Sequence, residues 1–271
     1  MSDQPADADP TPRVPLPWDE AFEEELAAQP HDAFFKRVFS DLAVATAFFR
    51  HHLPPSVVSA IRWETLAACP ASFIKRTLKQ NHSDLLFTVE DGDRPALLHI
   101  LFEHQTSVDE AMPLRLLGYM VEIWNGWLTS RGLPLPPVVP VVLHQGPDRW
   151  SVSCHFEEMF GAVATGMRRF LPRFEHALVD LTRHEPESGG AEQSLRLVLH
   201  LMKLARERQR MEEFFDWLMA ESMPVPADLL ALSLLYALHA DASLDAEAVF
   251  HKIAIQSAAR THGHVHSPAT H

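Results

Sequence analysis

Cysteine is scarce in this chain. Only Cys69 and Cys154 occur, far apart and in no CxxC pair. That excludes a disulfide framework and a zinc ribbon. No apolar run approaches the roughly 20 residues a membrane-spanning helix needs, so no membrane partner is expected. The N-terminal stretch MSDQPADADPTPRVPLP is acidic and Pro-rich. It lacks the basic-then-apolar layout of a signal peptide, and a cytoplasmic location is expected. Positive charge is also short. The chain has 23 Lys and Arg against 36 Asp and Glu, a formal net charge of −13. Broad, non-specific nucleic-acid binding depends on Lys and Arg neutralising phosphates, so this balance counts against it. Local basic clusters remain at Lys75, Arg76 and Lys79, at Arg168, Arg169 and Arg173, and at Arg206, Arg208 and Arg210. The 17 histidines add positive charge only as pH falls toward their ordinary pKa of about 6.5.

What the chain does have is apolar material for one sizeable core, since 46% of its 271 residues are hydrophobic. Residues 1–29 are assigned to a disordered tail and linker, the first 18 rich in Pro, Asp and Ala. In residues 31–52, Phe34, Phe35, Val38, Phe39, Leu42, Ala45, Phe48 and Phe49 recur at spacings of three and four. That period predicts a helix, stopped by Pro54-Pro55. Residues 57–69 read as a short helix leading into an edge strand. Asp84–Glu90 and Ala96–Glu103 read as strands, and the turn signal Asp91-Gly92-Asp93-Arg94 joins them as a hairpin.

Residues 107–131 carry the stripe Met112, Leu116, Tyr119, Met120, Ile123, Trp124 and Trp127, which predicts a long helix ended by Gly132 and Pro134. Val138–Leu143 is a buried strand, Phe174–Leu181 a shorter one, and residues 191–218, 226–239 and 245–259 are helical. This order predicts a mixed sheet covered by helices, of the α/β class. The expected divisions are a main domain over 30–215, a helical C-terminal extension over 216–260 and a His-rich tail over 261–271.

The segment with the most chemistry is Asp84…Glu103-His104-Gln105. Side chains alternate faces along a strand, so Glu103 and Gln105 share one face and His104 points away, as a packed residue. A hairpin turning near residues 91–94 returns Asp84 to the end occupied by Glu103. Two carboxylates beside an amide suit a hard divalent cation, which takes the rest of its shell from water and phosphate. Acids also collect at strand ends simply because strands end in solvent, and D-x(18)-ExQ is a loose pattern. Asp32 is a further candidate acid, or a helix-start residue favoured by the dipole and paired with Lys36 one turn on. Arg115 could reach a phosphate near the site, or be an exposed helix arginine. His144 and Gln145 close a buried strand, either edging the cleft or stabilising its loop. His262, His264, His266 and His271 are read as a tail without function.

Several strings then gain weight together. They are His31-Asp-Ala-Phe-Phe-Lys36, Ser83-Asp84-Leu-Leu, Phe102-Glu-His-Gln-Thr106, Met112-Pro-Leu-Arg-Leu-Leu-Gly-Tyr-Met120 with Ile123-Trp124, and Val139-Pro-Val-Val-Leu-His-Gln-Gly146 with Trp150. In this order, over roughly residues 30–215, the chain resembles the Rpn family of recombination-promoting nucleases, also described as YhgA-like putative transposases. That family lies in the PD-(D/E)XK nuclease superfamily. The resemblance implies a restriction-endonuclease-like fold and a Mg²⁺-dependent DNA endonuclease tied to recombination or mobile elements, with Mn²⁺ or Ca²⁺ as other cations. It implies Asp84 and Glu103 as metal ligands, and Gln105 at the position that is Lys in most of the superfamily. DNA is then the partner, and association of identical copies is compatible with this. Glu103 is expected to be a ligand and not a core residue. The alternative is a catalytically inactive module of the same fold that binds DNA or a protein.

Overall fold

The computed structural model describes residues 18–69, 85–91, 97–183, 193–206, 210–221, 226–241 and 244. Helix α1 (Glu20–Ala28) opens this part of the chain. The Asp19 carboxylate accepts from the Phe22 amide at 3.0 Å, and Glu20 and Glu23 lie in the first turn, where the helix dipole favours them. Leu26 is fully buried. The expected tail over 1–29 is therefore corrected for residues 20–28, because a capped helix with a buried leucine docks on the domain. Residues 1–17 lie outside the described residues.

The single helix expected over 31–52 is two, α2 (Pro30–Phe39) and α3 (Leu42–His52). Asp41 interrupts the period by capping α3, accepting from the Ala43 amide at 2.8 Å. Next come α4 (Pro55–Ala60) and β1 (Ile61–Ala68), in the helix-then-edge-strand order the sequence implies. The hairpin strands are β2 (Leu85–Asp91) and β3 (Leu97–Gln105), and its turn lies outside the described residues. Helix α5 (Met112–Arg131) starts later than residue 107, with Pro113 in its first turn and the Asp109 carboxylate on the Ala111 amide. Gly132 ends it at φ 78°, a conformation that glycine adopts without steric cost.

Strands β4 (Val138–His144) and β5 (Ala177–Asp180) complete the sheet. The helical stretch expected over 191–218 divides into α6 (Gln193–Leu204) and α7 (Met211–Glu221), and α8 (Ala227–Ala240) follows. The helix expected over 245–259 lies outside the described residues. Among the described residues, no helix is long and apolar enough to cross a membrane.

The sheet order is β1-β2-β3-β4-β5. The β1–β2 and β2–β3 pairs are antiparallel, and β3–β4 and β4–β5 are parallel. Helix α5 makes the crossover between the parallel neighbours β3 and β4, the connection such a pair requires. The result is the mixed sheet flanked by helices that the sequence order predicts.

The two faces are packed differently. One carries Phe87, Val89, Ile100, Phe102, Val141 and Leu143 against α2, α3 and α6 to α8. At its centre Phe102 meets the rings of Phe35, Phe39, Phe48 and Phe49 at centroid distances of 4.8–5.2 Å. Such pairs add about 0.5–1.5 kcal/mol each beyond area burial. Tyr236 of α8 stacks on Phe34 of α2 at 4.0 Å in the same core. The helices after residue 216 thus share a core with the part before it. The other face carries Leu86, Leu101 and Val142 under Met112, Leu116, Tyr119 and Ile123 of α5.

Candidate active site

Glu103 and Gln105 lie within the last three residues of β3, on the α5 face with Leu101. Gln105 Nε2 donates to Glu103 Oε2 at 3.0 Å. Both are buried, with Glu103 at 0% exposure. The expectation that Glu103 stands outside the core is therefore corrected, because α5 and its approach loop cover the strand end. Glu103 Oε1 has no hydrogen-bond partner among the described residues. A buried carboxylate oxygen without a donor is costly, and it is the atom a cation would satisfy.

Arg115, in the first turn of α5, brings positive charge to this corner. Its Nη2 lies 3.8 Å from Glu103 Oε2, its Nη1 donates to Asp109 at 2.8 Å, and its Nη2 donates to Tyr119 Oη at 3.2 Å. Partial burial works against its charge, but the bonds to Asp109 and Tyr119 and the Glu103 charge outweigh this and hold the guanidinium above its ordinary range. Arg115 is thus held at the site and is not a free helix arginine. Asp84 lies outside the described residues. Among those described, no group of three or more His, Cys, Asp or Glu forms a metal cage.

Asp32 is not brought to Glu103. It sits on α2, paired with Lys36 at 2.8 Å, and its charge acts on His104 on the other sheet face. Its Oδ1 is buried without a hydrogen-bond partner among the described residues. The pairing with Lys36 is the one the i,i+4 spacing anticipates.

On that second face lies a polar network that the sequence does not reveal. His104 stacks on Phe35 at 4.8 Å and bonds through Nε2 to Gln145 Oε1 at 2.8 Å. Gln145 Nε2 donates to the Met202 carbonyl at 2.7 Å and to Tyr236 Oη at 2.8 Å. Tyr236 Oη in turn lies 2.7 Å from His31 Nδ1. The bonds are self-consistent if both imidazoles are neutral, with His104 protonated on Nε2 and His31 accepting on Nδ1. Burial depresses both, His31 to about 3 and His104 to about 4. Gln145 thus has a packing role, at the back of the strand that carries the site. The Gln145–Tyr236 and His31–Tyr236 contacts span 91 and 205 residues, beyond any local pattern. The strings His31-Asp32 and His144-Gln145-Gly146 were the available signals.

His144 points to the α5 side, its ring 5.1 Å from Trp150 and its Nε2 2.7 Å from the Asp148 carbonyl. The adjacent Gly146 backbone passes so close that a Cβ there would lie 2.7 Å from His144 Nε2 and 3.1 Å from the Thr106 carbonyl. The His-Gln-Gly string therefore records three packing demands at the end of β4.

The chain thus folds as a mixed sheet flanked by helices, with an acid–amide pair at the end of β3 and an arginine beside it. The chain belongs to the family described as "Putative transposase, YhgA-like", whose profile matches residues 29–224. It is 29% identical over 183 residues to "Recombination-promoting nuclease RpnC" of Escherichia coli (strain K12), a match covering 67% of this chain and 60% of that protein. It is 28% identical over 186 residues to "Recombination-promoting nuclease RpnD" of Escherichia coli O157:H7, covering 67% of this chain and 70% of that protein. Over 123 residues it is 31% identical to "Inactive recombination-promoting nuclease-like protein RpnE" of Escherichia coli (strain K12), covering 45% of this chain and 41% of that protein. The chain thus spans under two thirds of the length of RpnC and RpnE. No solved structure gives a significant match.

Proposed function

We propose that this chain is a divalent-cation-dependent DNA nuclease acting in recombination, of the PD-(D/E)XK kind, with its site at the end of β3. The observation that carries the reading is the buried Glu103 carboxylate, one oxygen fixed by Gln105 and the other unpartnered. The names of RpnC and RpnD support the activity.

Glu103 would hold the cation together with Asp84. Asp84 is joined by one peptide bond to Leu85, whose strand partner is Phe102, the neighbour of Glu103. Mg²⁺ is the cation best matched to such oxygen donors, with Mn²⁺ or Ca²⁺ as substitutes. A bound cation of this kind polarises a phosphoryl oxygen and lowers the pKa of an attacking water. Gln105 fixes the rotation of the Glu103 carboxylate. Its amide does not titrate near neutrality, so it orients groups and does not remove a proton. Arg115, locked by Asp109 and Tyr119, supplies positive charge beside the reacting phosphate.

The test is conversion of supercoiled plasmid to nicked circles by the full chain, with Mg²⁺ and with EDTA. Nicking in Mg²⁺ that stops in EDTA supports the reading, and nicking in excess EDTA rejects the cation's role. The net charge of −13 and the inactive status in the name of RpnE favour a second reading, a non-cleaving DNA-binding module. DNA affinity indifferent to Mg²⁺, with no nicking, would establish that one instead.

A further inference from the structure

Behind the carboxyl ends of β3 and β4 is a cavity of about 240 Å³ that the cleavage site does not use. Arg149, Lys203 and Arg206 line it together with Gly146 and Thr182. Three cations around one small cavity is unexpected in a chain of net charge −13.

Arg206 is the most telling of the three. It is half-buried, and its Nε donates to the Gln145 carbonyl at 3.0 Å and its Nη2 to the Thr106 carbonyl at 3.4 Å. Both acceptors are neutral. A guanidinium has five N–H donors, so most of the fork is left without an acceptor among the described residues. Half-burying a cation without a counter-charge is costly. Asp180, which precedes the lining residues Leu181 and Thr182, is already engaged. Its Oδ1 accepts from the Thr182 amide and hydroxyl at 3.0 and 2.8 Å, and its Oδ2 accepts from the Trp150 amide at 3.1 Å. The cavity therefore has a held fork with donors to spare, a lysine and a second arginine in its wall, and Asp180 turned to the fold. It also lies where parallel strands characteristically present ligands, beyond their carboxyl ends.

We propose that this cavity is a phosphate-binding pocket, with Arg206 as the anchoring fork and Lys203 and Arg149 closing on the anion. Planar forks suit phosphate oxygens in bidentate geometry, and lysine adds a compact charge. Arg206 also grips the carbonyl of Thr106, next to Gln105, so an anion here reports directly to the end of β3. The source of the phosphate rests on the nuclease reading, being either a DNA terminus or a backbone phosphate near the scissile one. The pocket chemistry itself does not rest on that reading.

The experiment is calorimetric titration of the full chain with inorganic phosphate at low salt, without divalent cation. Saturable binding is expected, weakened about tenfold or more in each of Lys203→Gln and Arg149→Gln, the loss of one charge-assisted bond. Arg168→Gln/Arg169→Gln, at a separate basic cluster, should bind as the parent does. Arg206→Ala also removes two strand-end bonds and can unfold the chain, so the Lys203 and Arg149 variants carry the test. Two oligonucleotides separate the sources. Tighter binding of a 5′-phosphorylated strand than of its 5′-hydroxyl twin, lost in Lys203→Gln, assigns a terminal phosphate. Equal binding of the two, weakened in Lys203→Gln, assigns a backbone phosphate. No saturable phosphate binding, or binding unchanged in the Arg149→Gln/Lys203→Gln double variant, overturns the proposal. Phosphate binding in a protein that fails to nick DNA would overturn the nuclease reading alone.

Discussion

Gln105 Nε2 donates to Glu103 Oε2 at 3.0 Å, across the two-residue spacing that puts both side chains on one face of β3. The bond leaves the second carboxylate oxygen, Oε1, buried and unpartnered. It therefore sets how each residue responds to substitution.

Glu103→Gln should abolish Mg²⁺-dependent nicking, a loss of more than about 100-fold. Without cation, the variant should be as stable as the parent or about 1 kcal/mol more so, because a buried, half-satisfied charge is removed. Mg²⁺ should raise the melting temperature of the parent and not of the variant, since a ligand stabilises only the state that binds it. A variant that nicks at the parental rate, or keeps the full Mg²⁺ shift, would sink the assignment of Glu103.

Gln105→Lys should retain measurable nicking. The ammonium would pair with Glu103 as the amide does now and add positive charge beside the phosphate. Complete loss of nicking with the Mg²⁺ melting shift intact would show that the amide itself is required.

Gly146→Ala should destabilise the chain by about 1–3 kcal/mol, an overpacking cost. His144 cannot swing clear, because its Nε2 is held by the Asp148 carbonyl at 2.7 Å, and the other close neighbour is the fixed Thr106 carbonyl. Urea unfolding midpoints of the two proteins decide this, and equal midpoints would contradict the close approach.

Stability should fall as pH drops from about 6.5 toward 4. Burial lowers His31 to about 3 and His104 and His176 to about 4. Each is neutral when folded, while the unfolded chain binds a proton below the ordinary value of about 6.5. In that window the unfolded state holds more protons, so stability rises with pH and is fully present above 6.5. Each histidine can contribute up to about 1.4 kcal/mol per pH unit. Urea midpoints between pH 7 and 5 measure the slope, and His31→Gln should flatten it. A slope unchanged by that substitution would mean His31 does not enter the fold neutral.

Much of this was legible in the sequence for a plain reason: alternation and helical period are local. The hairpin, the crossover helix under Met112, Leu116 and Ile123, and the shared face of Glu103 and Gln105 follow from spacings of two, three and four residues. Boundaries were less legible. The Asp41 cap splits one long apolar stripe into α2 and α3, and a cap is decided by one bond that the stripe does not register. Residues 20–28 have only two large apolar side chains, Phe22 and Leu26, and the packing of both on the core makes this helix part of the domain.

Tertiary structure alone decided three things. It buried Glu103, because α5 covers the end of β3. It joined Gln145 to His104, Met202 and Tyr236, because α6 and α8 pack on the Phe102 face of the sheet. It gathered Arg149, Lys203 and Arg206 around one cavity, although 57 residues separate the first from the last. Local period fixes which face of its own element a side chain takes. Which other elements meet that face depends on chain reversals too distant for any spacing to record.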